Sequence, residues 1–262
     1  MKLNNLGSTT IRVSPLGLGT VKFGRNQQVK YPTTFALPTD NEIRNLLELA
    51  MELGINVLDT APAYGNSMER LGKLLPGNRN NWVIVSKVGE FFEQGQSRFD
   101  FSYNTTISVV EHSLRTLNTD YLDIVLIHSN GNDTHILQHE PVIEALHKLK
   151  QRGLIRAHGL SSKTVNGGLL AIQELDVIML TLNPYYTNEL PVIAAANKLN
   201  KGVLIKKGLN SGHISNQDHI KTSMQFIVSQ SGVHSLIIGT INAQHLRFNA
   251  EIMKAIIHEK NL

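Results

Sequence analysis

The chain has 262 residues, of which 41% are hydrophobic and 18% are charged, a composition typical of a globular protein with a large core. Its formal net charge is only +4 and its basic residues are scattered, so we expect no nucleic-acid partner. It has no cysteine, which excludes disulfides, thiolate nucleophiles and cysteine-based zinc sites.

The first residues lack the apolar core of a signal peptide. No later stretch approaches the ~20 apolar residues of a membrane span, so we expect a cytoplasmic protein without a membrane partner. Residues 2–6 and 10–14 alternate around Gly7-Ser8, which predicts a short β-hairpin at the start of the chain.

Eight short apolar runs then follow, and their β-branched residues predict strands: Leu16–Gly19, Ile55–Leu58, Trp82–Ser86, Leu122–Ile127, Leu154–Leu160, Val177–Leu182, Val203–Ile205 and Leu236–Ile238. Amphipathic stretches between the runs predict helices. One begins at Thr39, whose spacing to Glu42 is that of a capping box, and ends at Gly54. Another begins near Pro141 and ends at Gly153.

Strands that are buried on both faces and joined by helices require parallel pairing with right-handed crossovers, and eight such units close a barrel. An open doubly wound sheet is the alternative. Against it, Gly17-Leu-Gly19 is not followed by the turn into a helix that a dinucleotide-binding fingerprint needs. We therefore predict a (β/α)8 TIM barrel, with residues 1–262 as one domain and the hairpin closing its bottom.

The reactive groups of such a barrel lie just past the ends of the strands. Asp59 and Tyr64 follow the second predicted strand, Lys87 the third and His128 the fourth. Each residue alone has a structural explanation, such as a turn cap or a core histidine. Three consecutive strands that deliver all four residues indicate a catalytic site.

Reduction of a carbonyl by hydride leaves an alkoxide that needs a proton. Tyr64 is a candidate donor, but the pKa of a tyrosine is ~10, so its acidity must be increased. Lys87 beside the phenol would lower this pKa, and Asp59 would hold the lysine. A neutral His128 would donate to the carbonyl oxygen and orient the substrate.

The sequence Leu-Asp-Thr-Ala-x-x-Tyr-Gly around Asp59 and Tyr64, the Ser-Lys pair at Lys87 and the Leu-Ile-His at His128 resemble the aldo-keto reductase signature. The resemblance covers nearly the whole chain, which has the short C-terminus of bacterial-type members. It implies an NAD(P)H-dependent oxidoreductase that reduces an aldehyde or ketone with these four residues as its catalytic tetrad. A small carbonyl substrate and no metal are implied, and the pattern makes no prediction of oligomeric state.

The resemblance also implies cofactor contacts near the strand ends, from Thr20, Asp59, Ser161, Lys206, Lys207, Gly208, Leu209, Ser211, Gly239, Thr240, Asn242, His245 and Asn249. Some positions depart from the usual pattern: Ser162 replaces an asparagine, Met179 a glutamine, Lys206 an aromatic residue and Phe248 a glutamate. His245 stands in place of the arginine on the 2′-phosphate. The positive pair Lys206-Lys207 favours NADP, with NAD as the alternative.

Two other functions are alternatives to this one. A metal-dependent barrel enzyme is suggested by His135 and His139 at i, i+4 spacing, but the pair lies in a stretch that predicts a solvated polar loop. A regulatory subunit would bind the cofactor with little turnover. We expect loops 21–38, 88–102 and 129–139 to form the pocket walls, with Phe91 and Phe92 as apolar contacts.

Overall fold

The computed structural model describes residues 1–260 of the chain. Its strands are β1 (Asn4–Asn5), β2 (Arg12–Val13), β3 (Leu16–Gly19), β4 (Val57–Asp59), β5 (Val83–Val88), β6 (Glu90–Glu93), β7 (Gln96–Phe99), β8 (Leu122–His128), β9 (Ile155–Ser161), β10 (Val177–Thr181), β11 (Gly202–Lys206) and β12 (Ser235–Ile238). Its helices are α1 (Val21–Gly24), α2 (Asp40–Glu52), α3 (Ser67–Leu74), α4 (Tyr103–Thr116), α5 (Asp133–His139), α6 (Val142–Gln151), α7 (Val165–Glu174), α8 (Leu190–Lys198), α9 (Gln217–Ser229) and α10 (Ala243–Lys260). Short 3₁₀ turns lie at Arg79–Asn81 and Asn210–Gly212.

Eight of these strands form a closed barrel. β3, β4, β5, β8, β9, β10, β11 and β12 follow one another around it in chain order, every neighbouring pair is parallel, and β12 pairs with β3 to close it. Each predicted apolar run overlaps one of these strands, and the bounds differ by at most two residues. The predicted (β/α)8 TIM barrel is therefore confirmed.

The N-terminal hairpin of β1 and β2 closes the amino end of the barrel, as predicted. Leu6, Ile11 and Val13 are buried and pack with the inward-facing side chains of the barrel strands. The tight turn depends on Gly7, whose φ is +55° and whose added Cβ would lie 2.5 Å from the backbone nitrogen of Gly202. Any side chain at this position would push the hairpin off the barrel.

A second apolar layer lies between the barrel and the surrounding helices. The helices contribute one buried face each, for example Ile43, Leu47 and Ala50 of α2, and these residues pack on the outward-facing side chains of the strands. This arrangement explains why the strands are apolar on both faces. No helix within residues 1–260 is long and apolar enough to cross a membrane.

The three loops predicted as pocket walls contain regular structure. Loop 21–38 begins with α1, loop 88–102 contains the antiparallel hairpin of β6 and β7, and loop 129–139 contains α5. The polar-loop assignment of His135 and His139 is therefore wrong, because α5 buries Ile136 and Asp133 on one side and leaves the polar residues on the other. No cluster of three side chains suited to a metal ion occurs in the described part of the chain.

The capping box of α2 is confirmed. The Thr39 side chain accepts from the Glu42 backbone N–H, and the Glu42 carboxylate accepts from the Thr39 backbone N–H at 2.7 Å. Removing the Thr39 hydroxyl leaves one backbone donor without its partner, so Thr39→Ala should lower the free energy of unfolding by about 1 kcal/mol. Urea unfolding should show this loss, whereas Thr34→Ala, at an exposed position just before the helix, should be neutral. Equal stabilities for the two variants would contradict this role.

Candidate active site

The carboxyl ends of the barrel strands meet at one mouth of the barrel. The residues at these ends are Asp59 on β4, Lys87 on β5, His128 on β8, Ser161 on β9 and Lys206 on β11. His128 and Ser161 are register partners across β8 and β9. Because all eight strands run in the same direction, the five side chains belong to the same end of the barrel.

Asp59 and Lys87 form a buried ion pair in this mouth. Lys87 Nζ donates to Asp59 Oδ1 at 2.5 Å and to the Thr60 carbonyl oxygen at 3.0 Å. The two side chains are only 7% and 2% exposed. Neither group has bulk water around it, so each depends on the other for its stability as an ion.

Tyr64 lies beside this pair, in the turn after β4. Its backbone N–H donates to the Ala61 carbonyl oxygen at 3.0 Å, and Gly65 turns the chain with a φ of +60°. The Tyr64 hydroxyl donates to Asp59 Oδ2 at 3.4 Å, and Lys87 Nζ lies 4.7 Å from the centre of the Tyr64 ring. The phenol is therefore in contact with both members of the ion pair.

The pKa of Tyr64 is raised well above its ordinary value. Burial is the main cause, the charges of Asp59 and Glu90 add to it, and Arg25 opposes it. This direction is opposite to the one expected from the sequence, because burial and the nearby carboxylates, one of which is hydrogen-bonded to the phenol, disfavour the phenolate. The phenol stays protonated at neutral pH, which is the form that a proton donor needs.

His128 completes the group of four. Its ring meets the Tyr64 ring edge to face, with centroids 6.3 Å apart, and its Nδ1 lies 2.8 Å from Glu90 Oε2. Burial lowers the pKa of His128, and the Glu90 carboxylate raises it. The structure thus brings together all four residues that the sequence predicts as catalytic.

Glu90, the first residue of β6, is a site residue that the sequence analysis missed. Ser97 Oγ donates to Glu90 Oε1 at 2.6 Å, and Arg25 Nη1 lies 3.8 Å from the same oxygen. Although burial opposes ionisation, His128, Ser97 and Arg25 together lower the pKa of Glu90 to about 2. The sequence does place this acid three positions after Lys87, at the end of a strand. The contacts of Glu90, however, depend on how the hairpin of β6 and β7 folds back.

Lys206, at the end of β11, reaches past β10 to the end of β9. Its Nζ donates to Ser161 Oγ and to the Ser162 carbonyl oxygen, both at 2.8 Å. Burial, followed by repulsion from Lys207, lowers the pKa of Lys206 to about 7. Ser161 and Lys206, both predicted as cofactor contacts, are therefore direct neighbours.

Positive charge is concentrated on this side of the mouth. Burial lowers the pKa of Lys207, and so do the charges of Lys30 and Lys163, whereas Glu189 opposes the shift. Lys30 and Lys163 come from separate loops, so nothing local in the sequence groups them with Lys207. A bound anion would reduce the repulsion among these lysines, so this region fits the phosphates of a nucleotide.

The start of α10 offers a second feature that fits such a ligand. Asn242 Oδ1 accepts from the backbone N–H groups of Gln244 and His245, and α10 is long enough to favour an anion at its N-terminus. Asn249, on the same helix, is 5% exposed, and its buried Oδ1 has no hydrogen-bond partner within residues 1–260. A bound group with a hydrogen-bond donor would satisfy that oxygen.

The other predicted cofactor contacts lie after β3, β11 and β12. Gly208, Leu209 and Ser211 form the turn after β11, and Gly239 and Thr240 follow β12, all near the carboxyl ends of their strands. Thr20 differs, because its hydroxyl already donates to the Asp59 carbonyl oxygen at 3.0 Å and accepts from Ser67 Oγ at 2.8 Å. Its hydroxyl thus holds β3 to β4 and α3.

The segment 25–38 lies across this mouth and places Tyr31 in it. The Tyr31 hydroxyl approaches Gly239 so closely that a Cβ there would lie 2.7 Å from it, and the Tyr31 ring packs near Gly212. Lys22 Nζ lies 3.9 Å from the centre of the same ring. Burial raises the pKa of Tyr31, and the charges of Tyr64 and Asp59 add to this shift.

Comparison with known proteins places this architecture in one family. Residues 15–219 match the model of the aldo/keto reductase family. The crystal structure of a candidate aldo-keto reductase from Pseudomonas aeruginosa is similar to this chain with a TM-score of 0.90 and 49% sequence identity, covering 97% of this chain and 95% of that one.

Two curated relatives span almost the same length. The uncharacterised oxidoreductase YqkF of Bacillus subtilis is 25% identical, over 97% of this chain and 92% of its own. The L-galactose dehydrogenase of Arabidopsis thaliana is 26% identical, over 98% of this chain and 83% of its own. Together with the family match over most of the barrel, these similarities show that the chain belongs to the aldo/keto reductase family, whose members are oxidoreductases.

Proposed function

We propose that the protein, acting as one domain over residues 1–262, is an NADPH-dependent reductase that converts an aldehyde or ketone to the alcohol. The observation that carries the proposal is the Tyr64 phenol in contact with the buried pair of Asp59 and Lys87, with His128 against its ring. A proton donor, a fixed cation and a second polar group at one barrel mouth are what the reduction of a carbonyl requires.

Each of the four residues has a distinct task in this proposal. Tyr64 gives its hydroxyl proton to the oxygen of the substrate as that oxygen becomes an alkoxide. Lys87, 4.7 Å from the ring centre, stabilises the phenolate that remains. Asp59 holds Lys87 in place, and His128 orients the carbonyl oxygen towards Tyr64.

A nicotinamide cofactor, when bound, supplies the hydride. Ser161 and Lys206 would face its nicotinamide end, the turn of Gly208, Leu209 and Ser211 would cover its pyrophosphate, and the α10 N-terminus would meet its adenosine phosphate. The last group of contacts is Gly239, Thr240, Asn242, His245 and Asn249. The crowded lysines support this placement, and so does Asn249 Oδ1, which has no hydrogen-bond partner in the part of the chain that the structure describes.

The lysine pair also supports NADP over NAD. If Lys207 makes one charge-assisted contact with a cofactor phosphate, Lys207→Met should weaken NADPH binding about tenfold, since such a contact contributes about 1.5 kcal/mol. Fluorescence titration measures the dissociation constant directly. Lys201→Met is the matched control, because it removes the same charge at the amino end of β11. A dissociation constant equal to that of the control would rule out the contact.

The first test of the whole proposal is titration of the protein with NADPH and NADH, followed by oxidation of the preferred one with an aromatic aldehyde. Binding with turnover is the expected result, and tighter binding of NADH would make NAD the cofactor. Tight binding without turnover would favour the regulatory subunit, and no binding of either nucleotide would refute the proposal. A cytoplasmic location stays a prediction of the sequence.

A further inference from the structure

Glu90 and His128 form a pair that the proposed roles do not explain. Glu90 Oε2 lies 2.8 Å from His128 Nδ1, a buried atom that makes no hydrogen bond of regular geometry within residues 1–260. The carboxylate is itself fixed, since Ser97 donates to its second oxygen at 2.6 Å and Arg25 lies 3.8 Å from that oxygen. The Arg25 guanidinium in turn stacks on the Phe92 ring at 3.4 Å. The hairpin of β6 and β7 therefore holds the Glu90 carboxylate in a fixed position next to His128 Nδ1.

This contact decides where the histidine proton lies. The pKa of Glu90 is lowered to about 2, so the group is a carboxylate, and a carboxylate only accepts hydrogen bonds. At 2.8 Å, the partial negative charge of an unprotonated Nδ1 is repelled by that oxygen, whereas a protonated Nδ1 is attracted to it. Neutral imidazole carries one N–H, so a proton on Nδ1 leaves Nε2 as an acceptor.

We infer that Glu90 is a positioning residue that holds the His128 proton on Nδ1, so that Nε2 accepts hydrogen bonds when the ring is neutral and donates to a carbonyl oxygen only as imidazolium. The inference rests on the proposed function for its catalytic consequence and differs from the sequence-based role of a neutral donor. Carbonyl reduction then uses the charged ring, and a substrate hydroxyl is recognised by the neutral ring.

Because reduction uses the imidazolium form, the rate depends on the His128 pKa, and the charges around the pair set that pKa. The titratable and charged side chains that face it are Lys87 from β5, Lys206 from β11, Tyr64 from the turn after β4 and Arg25 from the segment after α1. Burial and both lysines lower the pKa of His128, and Glu90 raises it. Reduction should therefore be fastest below that pKa and should fall as the pH rises through it.

The direct test is nuclear magnetic resonance of the 15N-histidine-labelled full chain, with the His128 signals assigned by their loss in His128→Asn. In the wild type, we expect the neutral ring to be the Nδ1–H tautomer. Glu90→Gln should lower the His128 pKa by about one unit, because the amide carries no charge. It should also allow the neutral ring to carry its proton on either nitrogen. Glu90→Asp, which keeps the charge, should retain most of the wild-type pKa.

The matched control is Glu93→Gln, which makes the same change at an exposed position on the same strand. The kinetic test is the pH profile of kcat/KM for aldehyde reduction. In Glu90→Gln, its falling limb should move to lower pH, with about a tenfold loss at neutral pH and unchanged NADPH binding. Thermal unfolding detects a general loss of structure. Such a loss would lower the activity but would not move the falling limb of the pH profile.

A His128 pKa and tautomer that are the same in Glu90→Gln, Glu93→Gln and the wild type would overturn the inference. An Nε2–H tautomer in the wild type would also overturn it. These readouts need no turnover, so they remain decisive even if the wild type reduces no aldehyde, which would refute the proposed function alone.

Discussion

Tyr64→Phe should lower kcat for aldehyde reduction by about 10²- to 10⁴-fold, the range over which a positioned general acid acts. The hydroxyl is the group in this mouth that is both protonated at neutral pH and in contact with the Asp59–Lys87 pair. Phenylalanine keeps the ring and its edge contact with His128, so the pocket shape and cofactor binding should be unchanged. Single-turnover kinetics with saturating NADPH separate the chemical step from binding.

Tyr185→Phe provides the matched control for this variant. Tyr185 is 72% exposed, so removal of its hydroxyl should leave kcat unchanged. Because the pKa of Tyr64 is raised, ionisation of the phenol should not limit the rate between pH 6 and pH 9, and a falling limb in that range belongs to another group. Wild-type activity in Tyr64→Phe would show that the proton comes from elsewhere.

The parts of this molecule that could be predicted from the sequence are those encoded by neighbouring residues. The β-branched runs, the capping box at Thr39 and the positions of Asp59, Lys87 and His128 at strand ends all depend on short stretches of chain. Closure of the barrel brings those ends together without further information. The fold and the group of four residues at the mouth were therefore predictable.

The contacts between loops were not predictable in the same way. Glu90 reaches His128 only because β6 folds back over the mouth on β7, and nothing local to either residue encodes that approach. The direction of the Tyr64 pKa shift depends on burial and on which oxygen of Asp59 the phenol meets. Such effects arise from tertiary packing, so a list of residue types at strand ends gives the members of a site but not its protonation states.

Lys87→Met should lower the free energy of unfolding by about 3–5 kcal/mol, the usual cost of breaking a buried ion pair by removing one partner. Asp59 would be left buried with the Tyr64 hydroxyl near one oxygen and no cation at the other. Urea unfolding at neutral pH measures the loss. Lys150→Met is the control, since it removes the same charge from a partly exposed pair with Asp176 and should cost about 1 kcal/mol or less.

The double variant Asp59→Asn/Lys87→Met separates stability from chemistry. It removes both charges, so no uncompensated ion stays buried, and the free energy of unfolding should recover by several kcal/mol relative to Lys87→Met. Carbonyl reduction should not recover, because the phenolate left by proton transfer would still lack the Lys87 ammonium. Recovery of both properties would show that the ion pair only supports the fold, whereas recovery of stability alone would assign Lys87 to the proton-transfer step.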